Sequence, residues 1–144
     1  MGLKRIYLLD TNIISEGIKP FPAENCMMKM EMYAGFSVIA SPVWYELLKG
    51  INVLPEGKRK DSLRKYVFDY IQNIYSILPY DSHCASIHAD MYARMQKNGT
   101  PVGQLDMQIA AVAMANNLIV VTRNIKDFEP IQKEYSLMVE NWFE

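Results

Sequence analysis

Short runs of strand-forming residues at 6–10, 36–40 and 119–122 set the strongest constraint on the fold of this chain. The last of them, Ile119-Val120-Val121-Thr122, leaves no room for apolar and polar side chains to alternate, as expected of a strand covered on both faces. The stretches between these runs are long enough for helices. Residues 22–34 open with Pro22 near a first helical turn and are followed by Gly35. Residues 42–52 follow Ser41 as a cap and begin at Pro42. Residues 58–77 carry Leu63, Val67, Tyr70, Ile71 and Ile74 as one stripe at helical spacing. Ser82 reads as the cap of a helix reaching residue 98, closed by Gly99. Residues 103–117 form a helix rich in Ala and Met. Brief strands are expected at 77–78 and 137–139, and a turn or short helix at 123–128. Strands alternating with helices predict an α/β fold of three layers, with a central, mostly parallel sheet between helices.

A chain of 144 residues, half of them hydrophobic, is sized for one domain over residues 1–144. A net charge of -1 neither favours nor excludes a polyanionic partner, because a local basic patch can sit in a neutral total. Cys26 and Cys84 stand apart with no Cys-x-x-Cys spacing, which suits a reducing cytoplasm. Lys4 and Arg5 precede an apolar run as in a signal peptide, but the run stops at Asp10, too short for an h-region. The longest apolar stretch is broken by Asn116 and Asn117, so no membrane segment is expected.

Why should a core strand end in a charge at Asp10? In parallel sheets, ligands sit beyond the carboxyl ends of the strands. Three further acids have comparable addresses. Glu46 lies in the helix after the second strand, in "SPVWYELLKG"; Asp106 opens the Ala-rich helix, in "PVGQLDMQIAAVA"; Asp127 follows a late strand, in "VVTRNIKDF". Each alone has an ordinary reading. Asp10 could be a helix N-cap, Glu46 an exposed helix residue, Asp106 an acid favoured by the helix dipole, Asp127 a turn residue. As a set they could meet at one sheet edge. Converging carboxylates repel unless protons or cations neutralise them, and hard divalent cations take oxygen ligands. A metal held there would suit hydrolysis of a phosphodiester.

The blocks "LLDTNIIS", "SPVWYELLKG", "PVGQLDMQIAAVA" and "VVTRNIKDF" resemble, in the same order, the four signature blocks of the PIN-domain ribonucleases. The likeness is greatest to the toxin subunits of VapBC toxin–antitoxin pairs and runs from Tyr7 to Phe128. The resemblance implies a PIN-like fold with Asp10, Glu46, Asp106 and Asp127 as the catalytic, metal-binding set. It implies Asn12, Thr122 and Asn124 as polar support, Mg²⁺ or Mn²⁺ as cofactor, and water as nucleophile. It further implies an RNA substrate, often tRNA or an rRNA loop, a VapB-like antitoxin partner and a homodimer.

Lys49, Lys58, Arg59, Lys60, Arg64 and Lys65 form a basic run that could meet RNA phosphates, as could Arg123; otherwise they are a solvated surface. His83 and His88 would stand about 140° apart on a helix and are not expected to share a metal. No P-loop or nucleophilic triad is present. "CMMKMEMY" suits core packing, or a helix face for a partner. Two other readings compete with the nuclease. One is a catalytically silent PIN-like domain that binds RNA or protein, which would be expected to have lost an acid. The other is a phosphotransfer domain with Asp10 as acceptor. It is disfavoured because Asp10 has no acidic neighbour and Arg123, not a lysine, follows the late strand.

Overall fold

The computed structural model describes residues 4–144. Five strands form one parallel sheet in the order β3-β2-β1-β4-β5. They are β1 (Tyr7–Leu9), β2 (Ser37–Ala40), β3 (Ser76–Leu78), β4 (Ile119–Val121) and β5 (Val139–Glu140). Between them run α1 (Thr11–Glu16), α2 (Glu24–Met32), α3 (Ser41–Asn52), α4 (Lys58–Lys65), α5 (Gln72–Ile74), α6 (Ser82–Lys97), α7 (Gln104–Asn116) and α8 (Glu129–Gln132). This is the expected α/β/α sandwich. The chain steps one way from β1 to β3, then returns past β1 to β4 and β5. Right-handed crossovers therefore place α1–α5 on one face and α6–α8 on the other. β1 and β4 lie at the reversal, in register as Tyr7↔Ile119, Leu8↔Val120 and Leu9↔Val121. Chains leaving these two strands diverge to opposite faces, and the crevice opens there.

The core explains why β1 sits at the centre. Leu8, Leu9, Val120 and Val121 are fully buried, and each is worth roughly 1.5–3 kcal/mol when removed from water. α7 packs the middle of the molecule with Met107 and Ile109–Ala113 all buried, which its small alanines permit. It ends at Asn117, in the left-handed region with φ 54°, and Gly99 takes φ 65° after α6, as its place there requires.

Several local expectations shift. α2 begins at Glu24, and Gly35 lies inside a 3₁₀ turn (Ala34–Phe36) rather than past a helix end. Ser41 is the first residue of α3 and does not cap it; its hydroxyl accepts the Tyr80 N–H at 3.0 Å. The cap of α6 is Asp81, whose carboxylate accepts the Cys84 N–H at 3.0 Å, and not Ser82. The expected helix over 58–77 is interrupted by a π-helical segment, Tyr66–Ile71. The wider turn keeps Val67, Ile71 and Tyr75 inward at spacings of four, and rotates Tyr70 and Ile74 into solvent. The last strand is Val139–Glu140, and Leu137 packs in the core instead.

Candidate active site

Asp10 leaves the end of β1 with its N–H given to Val121 O at 2.9 Å, so the strand pairing carries it to the crevice. It caps α1: Oδ1 accepts the Thr11 N–H at 2.7 Å. Oδ2 accepts the Thr122 hydroxyl at 2.8 Å and a longer bond of 3.4 Å from the Asn12 amide. The N-cap reading of Asp10 is therefore right, and the same carboxylate also lines the cleft. Thr122 is fully buried, and its hydroxyl also accepts from Asn12 Nδ2 at 3.2 Å and from the Asn124 N–H at 3.1 Å. Asn12 closes the loop by accepting the Arg123 N–H at 3.0 Å. These bonds lock the chain after β1 to the chain after β4. They bring Asn12, Thr122 and Asn124 together around one carboxylate, as the sequence suggested.

The four acids line one open cleft of about 420 Å³. Asp10 is 7% exposed, and burial, with the charges of Asp127 and Glu46, raises its pKa against the lowering effect of its Thr122 and Thr11 bonds. Asp106, in the first turn of α7, is pushed up to about 6, first by burial and then by Asp10 and Asp127. Asp127 stands on the 3₁₀ turn Ile125–Phe128, whose Phe128 is buried and pins it below β4. Glu46 projects from α3 and is paired with Lys49 at 2.8 Å. Among the described residues no three acids, histidines or cysteines close into a preformed metal cage. The carboxylates face a common space without collapsing onto it, as their mutual repulsion requires.

The structure adds residues that the sequence reading passed over. Thr11 and Ser15 line the cleft four apart on α1, opposite the core residues Ile13 and Ile14, and Lys19 joins them from the turn after the helix. That polar stripe was readable from its period. Lys19 pairs with the buried Glu16 at 2.8 Å.

The basic run divides. Lys60 is buried and bonded to Glu56 at 2.8 Å, so its assignment to RNA is corrected: the ammonium is consumed within the protein. Lys58, Arg64 and Lys65 are exposed. Arg59 borders an apolar trough between α1, α3 and α4 that shares Thr11, Ser15, Lys19 and Glu46 with the cleft. Lys49 is held by Glu46 and lies 5.5 Å from the Tyr45 ring centre. Arg123 edges the cleft with its guanidinium carbon 4.5 Å from the Phe143 ring centre. His83 and His88 lie outside the cleft lining, and the buried Cys26 and Cys84 are free thiols. Half of the methionine stretch is core (Met30 buried) and half is surface, with Met28 and Met32 exposed.

A PIN domain family model matches residues 7–133. The toxin FitB of Neisseria gonorrhoeae is 32% identical over 124 residues, covering 84% of this chain and 89% of that one. The ribonuclease VapC2 of Rickettsia felis is 30% identical over 139 residues, covering 95% and 98%. The crystal structure of VapBC2 from Rickettsia felis bound to a DNA fragment from their promoter aligns with TM-score 0.79 at 26% identity, covering 95% of this chain and 98% of that one.

Proposed function

The chain belongs to the PIN-domain family, and on that footing we propose that it is a metal-dependent endoribonuclease acting as the toxin of a toxin–antitoxin pair. The observation that carries this reading is the cleft itself. Acids from four separate segments meet at the β1–β4 reversal, and Asp106 is raised to about 6 by burial and by Asp10 and Asp127. A fold keeps such a repulsive set only where something neutralises it. Two relatives support the activity and the role, being named as a ribonuclease and as a toxin.

The donors fit Mg²⁺ or Mn²⁺. All are carboxylate oxygens, with no His or Cys in the cleft lining to select a softer ion. Asp10, Glu46, Asp106 and Asp127 would hold the ion. When bound, it supplies an activated water and stabilises negative charge on the scissile phosphate. The rest is done by the chain. Thr122 and the Thr11 N–H fix the plane of the Asp10 carboxylate; Oδ1, which accepts one bond, keeps a lone pair for an ion, while Oδ2 already accepts from Thr122 and Asn12. Asn12 and Asn124 hold Thr122 in turn. Asp106 keeps a proton at mildly acidic pH and must release it for the ion to bind. Cleavage and ion affinity therefore fall together below about pH 6. RNA would be drawn by the exposed Lys58, Arg59 and Arg64 of α4, of which Arg59 borders the trough beside the cleft, with tRNA or an rRNA loop as the substrate class.

The partner is a VapB-like antitoxin, by analogy with VapBC2. The homodimer would bury the apolar outer surface of α3 and the residue that caps its end, where Tyr45 is 62% and Val53 76% exposed.

The test is cleavage of total tRNA and rRNA by protein freed of any partner, with Mg²⁺, Mn²⁺ or EDTA, beside Asp106→Asn. Metal-dependent cuts at defined positions that vanish in the variant are expected. A folded, Mn²⁺-binding protein that cuts none of these RNAs would favour the silent binding domain instead.

A further inference from the structure

The first turn of α7 carries an acid of the cleft and has little side-chain hydrogen bonding of its own. Asp106 faces Asp10 and Asp127, and the repulsion among them loads the turn that carries it. Gly103 occupies the cap position and offers no side-chain oxygen. Among the described residues, one side-chain hydrogen bond reaches residues 101–108: His88 Nε2 to Gln104 Oε1, at 2.9 Å. An amide oxygen needs a donor, so Nε2 carries the ring proton and Nδ1 is left to accept. It does so from the Tyr80 hydroxyl at 2.7 Å, with the two rings perpendicular at 87°. Tyr80 is anchored in its turn, its N–H donating to the Ser41 hydroxyl at 3.0 Å. Ser41 begins α3, the helix that bears Glu46. The chain Ser41–Tyr80–His88–Gln104 therefore ties the start of one acid-bearing helix to the start of the other, outside the cleft lining.

We propose that His88 is a positioning residue for the carboxylate cleft: held by Tyr80, it fixes Gln104 and so keeps Asp106 facing Asp10 and Asp127. This rests on the metal-site reading above. His88 touches none of the acids itself, and its ring is satisfied on both nitrogens by neutral groups, the arrangement of an orienting side chain. Val102 and Leu105 lean on the core, but Gln104 is exposed, and the first fully buried residue of the helix is Met107, one position beyond Asp106. The polar side of this turn is therefore held by the His88 bond rather than by packing.

The experiment is a Mn²⁺ titration followed by the electron-spin-resonance signal of the free ion, together with thermal melting in EDTA. The proteins are wild type, His88→Ala, Gln104→Ala, the double variant, Tyr80→Phe and His88→Gln. His88→Ala should weaken Mn²⁺ binding about tenfold, the usual effect of removing a group that orients a ligand. Tyr80→Phe should weaken it less. Gln104→Ala should match His88→Ala, and the double variant should be no worse than either, because the two residues act through one bond. His88→Gln places an amide N–H where Nε2–H stood and should recover most of the affinity. Melting in EDTA should stay within a few degrees for all. Unchanged Mn²⁺ affinity in His88→Ala, or additive losses in the double variant, would overturn the positioning role while leaving the metal site standing. A wild-type protein that takes up no Mn²⁺ would overturn the metal site, and the positioning role with it.

Discussion

Replacing Asp106 by Asn should stabilise the metal-free protein, even though it removes a residue from the proposed catalytic centre. The rise of its pKa from the ordinary 3.8 to about 6 corresponds to ~3 kcal/mol of unfavourable energy in the ionised folded state. Asp106 is only partly buried, and solvent screening reduces this to about 1.5 kcal/mol. The variant also forfeits about 0.5 kcal/mol of favourable interaction between an anion and the α7 dipole. A net gain of about 1 kcal/mol raises the melting temperature of a chain this size by roughly 3 °C. The pH dependence has a definite sign. An acid whose folded pKa is raised costs nothing well below its unfolded value of 3.8, where both states are protonated, and little at pH 4. The cost grows as pH climbs toward 6 and is complete above it. Calorimetry in EDTA should therefore show the variant above wild type at pH 7.5 and the gap largely closed at pH 4. Mg²⁺ at tenfold excess over its dissociation constant should lift wild type by about 1.4 kcal/mol and the variant by much less. A variant that melts well below wild type in EDTA at pH 7.5 would mean that Asp106 serves the fold, and the repulsion argument would fail.

Thr122→Val keeps the shape of the side chain but removes the hydroxyl that serves Asp10, Asn12 and Asn124, so a loss of about 1–3 kcal/mol is expected, read as a lower urea midpoint. Gly17→Ala would drive a methyl group into the Tyr66 hydroxyl, which is held by Ile14 O at 2.8 Å; the same midpoint should fall by about 1–3 kcal/mol. In a Tyr66→Phe background Gly17→Ala should cost little, and an unchanged cost there would refute the clash. RNA affinity measured against salt in a non-cleaving Asp106→Asn protein should lose about 0.7 from its slope for each of Lys58, Arg59 and Arg64 that meets a phosphate. Lys60→Met should leave that slope alone, because Lys60 is buried against Glu56.

What could be read without coordinates was whatever a short range of sequence encodes. The run into Asp10 and the run of Ile119–Val121 specified central strands because nothing in them is polar enough for a surface. Their parallel pairing followed from the helices between them. The four acids were legible only as a set, since each has an ordinary local role and Asp10 in fact plays one. The π-helical segment at Tyr66–Ile71 was not legible: the spacing of Val67, Tyr70, Ile71 and Ile74 fits an α-helical stripe, and only packing decides which of them turns outward. Ser41 and Ser82 had the composition of caps. Their hydroxyls lost that role to contacts set by distant chain, Tyr80 in one case, and to the stronger neighbouring acceptor Asp81 in the other. The Lys60 assignment failed for a related reason, since charge in a sequence does not reveal that an adjacent Glu56 has already taken it.

Glu46 shows how the site can be both repulsive and ready. Among the described residues it is the one acid of the set with a cationic partner, Lys49 at 2.8 Å. That pair spans one helical turn, with the side chains 49% and 28% exposed, so it contributes at most about 1 kcal/mol and yields easily to a stronger ligand. Asp10 is different: it is locked by Thr11 and Thr122 without any ion. The cleft thus has a fixed wall at Asp10, a loaded one at Asp106 and an adjustable one at Glu46. Asp10, Asp106 and Glu46 would hold a divalent ion, whose charge would offset the repulsion among them. Glu46 engaged in that way would leave Lys49, its present partner, available to a phosphate. Lys49→Met should accordingly tighten Mn²⁺ binding slightly while weakening RNA affinity. Equal weakening of both would show that Lys49 only shapes α3.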